Sequence, residues 1–169
     1  MVKSINQFRK VIYSLFAFIL ILCVSITPAY AWGRKIITKS ASGSFNYSIY
    51  NMNYSFSASS VISYEGNTVL SQSDLAFSNN VCSNTQNVIT CMVIPRQTSK
   101  YISGSQAVYT VELTRSAYML YSDKVTYTFT YTPSDAGSPY SLLDPNTEII
   151  DGMLVTVEVS EPYDIVYYE

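Results

Sequence analysis

The sequence predicts an all-β protein: a single antiparallel β-sandwich with Greek-key-like connections behind an N-terminal helical signal segment, with a small β-barrel as the alternative. Three observations carry the prediction. Apolar and polar residues alternate with period two along most of the chain after residue 32. The alternating runs are rich in Val, Ile, Thr, Tyr and Phe, which suit a pleated, half-buried surface. Turns containing Gly, Asn, Asp and Pro recur between the runs, and no segment after residue 32 repeats with a helical period.

The N-terminal segment has three parts. Lys3, Arg9 and Lys10 form a positive region, and Val11 to Ile26 is an apolar run ended by the helix breaker Pro28. Ala29-Tyr30-Ala31 then offers small residues at the two positions a signal peptidase reads. Cleavage is expected between Ala31 and Trp32, dividing the chain into a secretory signal peptide (1–31) and one sandwich domain (32–169). The apolar run falls short of the ~20 residues that span a bilayer, so membrane attachment would require an uncleaved signal.

The strands follow. Phe45, Tyr47 and Ile49 occupy odd positions, whereas Tyr54, Phe56 and Ala58 occupy even ones. A slip of one residue would turn the whole apolar set to solvent, so a bulge or hairpin turn is expected at Asn51-Met52-Asn53. Glu65-Gly66-Asn67 lies between two apolar runs and reads as a hairpin turn. Val88 to Ile94, closed by Pro95, reads as a strand buried on both faces.

Tyr109, Val111 and Leu113 alternate with threonines and Glu112, and Val125, Tyr127, Phe129 and Tyr131 alternate with Lys124 and threonines. Met153, Val155, Val157 and Val159 share a face. Further turns are expected at Ser103-Gly104, from Ser134 to Pro139, and at Asp144-Pro145-Asn146. About eight to ten short strands result, enough for one sandwich. Long and short connections alternate along the chain, which suits Greek-key topology.

Cys82 and Cys91 are the cysteines left after signal removal, and an even count in an exported chain predicts a disulfide. The short polar loop between them reads as a turn between two strands. Closing it contributes about 2–3 kcal/mol by chain entropy.

Composition removes whole classes of chemistry. The chain has no histidine, so Ser-His-Asp and Cys-His catalysis, histidine metal sites and histidine pH switching are excluded. No G-x-G pair occurs, so a dinucleotide loop is excluded as a motif. All 12 acids but only seven of the 10 bases follow residue 31, a balance that offers nucleic acid no basic groove. Arg34, Lys35 and Lys39 lie near the start of the domain, while the chain from Asp135 onward carries acids and no base. This reads first as a solvated acidic face, and more sharply as a basic arm engaging an acidic edge.

Asp144, Asn146, Glu148 and Asp151 place oxygen ligands close together, a weak calcium candidate that fails the EF-hand pattern. Glu112 and Glu158 lie mid-strand on polar faces, so a carboxylate-based hydrolase ranks third among the functional readings. No catalytic residue, metal or cofactor is expected.

Tyrosine is the residue in functional surplus. Tyr109, Tyr127 and Tyr131 alternate in register with core residues and should point inward with hydroxyls near the rim. Tyr50, Tyr64, Tyr118, Tyr121, Tyr140, Tyr163, Tyr167 and Tyr168 fall out of phase or near turns and ends. Tyrosine supplies rigid amphipathic contact area at low entropic cost, so these eight are the candidate binding surface. The functional expectation is an exported, non-catalytic binding or adhesion module, secreted or at the cell surface, with a protein or glycan partner. The alternative is a structural subunit that assembles through strand edges into a fibre or coat.

Overall fold

The computed structural model describes residues 32–84, 89–134 and 146–168. They form two antiparallel sheets. The first comprises β1 (Trp32–Tyr47), β2 (Tyr50–Glu65), β3 (Thr68–Gln72) and β4 (Ala76–Asn84). Here β2 lies in the middle, with β1 along one edge and β3 and β4 end to end along the other. The second comprises β5 (Cys91–Ser103), β6 (Gln106–Ala117), β7 (Tyr121–Pro133), β8 (Thr147–Ile150), β9 (Met153–Val159) and β10 (Tyr163–Tyr167). Its order is β5-β6-β7-β9-β8, with β10 pairing β7 beyond the end of β9.

The sheets pack face to face, so the fold is the sandwich and not the barrel. Phe56 of the first sheet meets Tyr127 and Phe129 of the second edge-on, with ring centroids 5.2 and 6.2 Å apart. Ile37, Met52, Ile62, Leu113 and Val155 complete a core that water does not reach. Within the sandwich, strands adjacent in space are mostly adjacent in sequence. Three pairings skip strands, β2 with β4, β7 with β9 and β7 with β10, and these local rearrangements of two meanders stand where Greek-key returns were expected. Connection length records how far the chain travels, but not on which side of a strand it lands.

The phase change near residue 50 is a hairpin turn, displaced from its expected place. The turn is Ser48-Ile49, with Ser48 at φ 54°, and Tyr47 pairs with Tyr50. Odd residues of β1 therefore face even residues of β2 along the whole ladder, which is what the phase change records. Ile49 leaves the apolar set and is exposed, whereas Met52 is buried. The turns at Gly66 and Gly104 lie where expected, and both glycines take positive φ.

Pro95 corrects a further expectation. It lies inside β5, an edge strand, and Met92 and Ile94 are exposed, so this run is not buried on both faces. An edge strand tolerates proline because its free side needs no N–H donor. Residues 85–88 lie outside the described residues, as do the expected turn from residue 135 onward and Asp144 and Pro145.

Cys82 and Cys91 form the disulfide, but not across a hairpin. Cys82 belongs to β4 and Cys91 to β5, so the bridge ties the first sheet to the second where the chain crosses between them.

Candidate functional site

The tyrosines concentrate at one end of the sandwich, where the Ser48-Ile49 turn, the β4–β5 crossing, the β6–β7 turn and the end of β10 come together. Three backbone hydrogen bonds shape this end. Tyr118 N–H donates to Thr90 O (2.9 Å), Leu120 N–H to Ala117 O (2.9 Å), and Tyr168 N–H to Leu120 O (3.1 Å). They fix the β6–β7 turn, with Met119 at φ 51°, between the start of β5 and the tail after β10.

A groove of about 460 Å³ lies among these pieces. Thr90, Cys91 and Met92 form one wall, Ser116, Tyr118, Met119 and Ser122 the turn side, and Tyr168 the tail side. Tyr121, only 6% exposed, also lines it. No lining side chain is charged. Tyr118 (65% exposed), Met119 (78%) and Tyr168 (51%) stand in solvent.

Tyr121 joins this surface to the core. Its ring stacks on Phe45 (5.9 Å), touches Tyr47 (5.8 Å) and meets exposed Tyr167 edge-on (5.4 Å). Its hydroxyl donates to Asp123 Oδ2 at 2.6 Å. Asp123 is fully buried and receives two hydrogen bonds from Arg115, one from Nε at 2.7 Å and one from Nη2. The guanidinium stacks over Phe45 and Tyr54, and its Nη1 donates to Tyr54 Oη (3.5 Å) and Ser44 O (3.4 Å). Tyr54 in turn shares a 2.8 Å hydrogen bond with Tyr127 across the sheets. Gly43 makes room for this chain, because the Tyr54 ring lies where any Cβ at position 43 would go.

Burial is the main cause that raises the Tyr121 and Tyr127 phenols well above their ordinary range, with Asp123 and Tyr54 adding to it respectively. Burial alone would lower the Arg115 guanidinium, but the hydrogen bond and charge of Asp123 outweigh it and raise the group. Both shifts run the same way near neutral pH: the Tyr121 and Tyr127 phenols stay neutral and the Arg115 guanidinium stays charged.

Of the eight candidate tyrosines, Tyr118, Tyr121, Tyr167 and Tyr168 are brought together here. Tyr50 is half-buried beside the nearby β1–β2 turn. Tyr64 packs across Gly33, and Tyr163 lies on the outer face of the second sheet, bonded to Thr126 (3.1 Å) and Glu112 (3.2 Å). Tyr140 lies outside the described residues. The inward tyrosines differ from expectation at their hydroxyls, which are buried between the sheets rather than held at the rim.

Sequence reasoning missed Arg115 and Asp123. The signal was there, since each continues the odd-numbered apolar phase of its strand, and the two face each other across the β6–β7 ladder.

The other candidates do not converge. Glu112 pairs with Lys124 (3.4 Å), which also pairs with Asp164 (3.3 Å), whereas Glu158 is exposed on β9. Hydrogen bonds to Asp164 and Glu112 raise the Lys124 ammonium. Glu148 is ion-paired with Lys39, and the backbone oxygen of Asp151 accepts from Lys35. Among the described residues no three His, Cys, Asp or Glu side chains stand together as metal ligands. Lys39 thus makes one ion pair between basic arm and acidic edge within the molecule, whereas Lys35 meets a backbone oxygen and not a carboxylate. Compared with family models, curated proteins and solved structures, the chain matches none.

Proposed function

We propose that this chain is an exported, non-catalytic binding module that works outside the cytoplasm and holds its partner at the tyrosine-rich end. One observation supports the reading most: exposed Tyr118 and Tyr168 flank an uncharged groove that also carries Met119, Met92 and three hydroxyls. Aromatic faces with hydroxyl edges suit a neutral partner, either the sugar rings of a glycan or an uncharged stretch of protein. The Tyr121–Asp123–Arg115 chain anchors Tyr121 beneath the groove, and an anchored aromatic loses less entropy on binding. Export rests on the three-part signal at the N-terminus.

The test offers protein beginning at Trp32 to arrayed neutral glycans and to immobilised cell-envelope proteins. Replacing Tyr118 and Tyr168 by alanine should weaken capture about tenfold or more, as loss of central aromatic contacts does, with circular dichroism unchanged. Capture that ignores the double substitution, or no capture by either array, counts against the proposal. The fibre or coat reading would need two complementary free edges on each molecule.

A further inference from the structure

The two flanks of the sandwich differ in how they are closed. On one flank the disulfide joins β4 to β5, Gln97 bonds both Leu75 N–H (2.7 Å) and Asp74 (3.0 Å), and Lys100 pairs with Asp74 (2.8 Å). Hydrogen bonds from Lys100 and Gln97, with the Lys100 charge, hold the Asp74 carboxyl below its usual range. On the other flank β1 faces β8 and β9 across a polar groove of about 500 Å³, bridged by Lys35 and Lys39.

An unpaired strand edge is a template for another strand, and proteins blunt it with proline, bulges, charge or brevity. β5 has Pro95, a register shift between Gln97 and Ser99, and Arg96 and Lys100. The β3–β4 edge is interrupted between Gln72 and Ala76 and bulged at Asn79, which has φ 54°. β8 has 4 residues, and β10 has 5 with a shifted register. β1 lacks proline, bulge and brevity, since it runs 16 residues in unbroken register without a positive φ, and its charges are confined to Arg34, Lys35 and Lys39. Its inward lysines would ordinarily repel an incoming strand, but both are already bonded to the second sheet.

We infer that β1 is the edge through which two copies of this chain pair, antiparallel, about a two-fold axis at Ser40. A two-residue hairpin loop makes Tyr47–Tyr50 a hydrogen-bonded pair, so the even residues of β1 turn their N–H and C=O groups away from β2. Centring the axis on Ser40 sets Thr38 against Ser42, Ile36 against Ser44 and Arg34 against Asn46. Lys39 then meets Ala41, whereas an axis one residue earlier would set Lys39 against itself. Hydroxyl pairs already bridge β1 to β2 on this face, Thr38 to Ser59 (2.8 Å) and Ser40 to Ser57 (2.9 Å), and the pairing extends that ladder. Among the described residues β1 is the one long edge left unguarded by proline, bulge or brevity, and a single such edge closes on itself, so the product is a dimer and not a fibre. The proposal uses backbone groups of β1 and does not rest on the tyrosine groove.

Analytical ultracentrifugation of protein beginning at Trp32 should show a dimer. Ser40→Cys should form a disulfide-linked pair on oxidation, whereas Thr98→Cys on β5 should not. Ser42→Pro removes an N–H that β2 does not use, so it should give a folded monomer. A wild type that stays monomeric at millimolar concentration overturns the proposal, as does a dimer in which Ser40→Cys stays unlinked. Should Ser42→Pro fail to fold, the cross-linking pair still decides.

Discussion

Tyrosine hydroxyls are buried at both ends of the core, and the two ends satisfy them differently. Near the β6–β7 turn the acceptor is an ion-paired carboxylate: Asp123 accepts a hydrogen bond from the Tyr121 hydroxyl and is held by Arg115. At the other end neutral groups serve. The Tyr109 hydroxyl bonds Ser60 Oγ and Ser73 O, while the Tyr131 hydroxyl, buried and edge-on to Tyr109 (5.6 Å), has no partner among the described residues. A buried ion pair tolerates no loss of one member, whereas a neutral hydroxyl can be removed at a fraction of that cost. The charged end is thus the more exacting one, and it is the end that carries the exposed tyrosines.

The comparison breaks most sharply at Asp123. Asp123→Asn leaves a buried guanidinium uncompensated and should cost about 3–5 kcal/mol in urea denaturation. Pairing Arg115→Met with Asp123→Leu should recover most of that loss. If the single variant costs under about 1 kcal/mol, the ion pair is not what holds this end.

The neutral end sharpens the contrast at smaller scale. Tyr109→Phe should cost about 1–2 kcal/mol, because Ser60 loses a buried partner. Tyr131→Phe removes only an unsatisfied hydroxyl, so stability should hold or rise by up to about 1 kcal/mol. Equal losses for the two variants would show that both hydroxyls are equally bonded.

Alternation in β6 and β7 made the core legible before any coordinates, because each inward position repeats every second residue. The same alternation carried Arg115 and Asp123, yet a charged residue in phase with leucine reads as an error until its partner is seen opposite. Register settles that, and register depends on the turn between the strands, whose Met119 at positive φ has no sequence signature. The Ser48-Ile49 turn was missed for the same reason, since neither residue favours a left-handed conformation as asparagine does. Gathering Tyr118, Tyr121, Tyr167 and Tyr168 required β10 to pair with β7, a contact between distant segments that no local pattern encodes.

The division of the sheets along the chain bears on the order of assembly. Residues 32–84 supply the whole first sheet and residues 91–167 the strands of the second, so every pairing stays within one half of the domain and most are between neighbours in sequence. For an all-β protein this lowers contact order and favours rapid, hairpin-by-hairpin growth. The first meander nevertheless cannot hide its own apolar face, since Phe45, Met52, Phe56 and Ile62 find their cover only in strands made later. The interval between the two meanders is therefore the vulnerable stage of folding, when an uncovered sheet can meet another like it. Cys82 and Cys91, nine residues apart, can join across the crossing at little entropic cost and hold the second meander close while it forms.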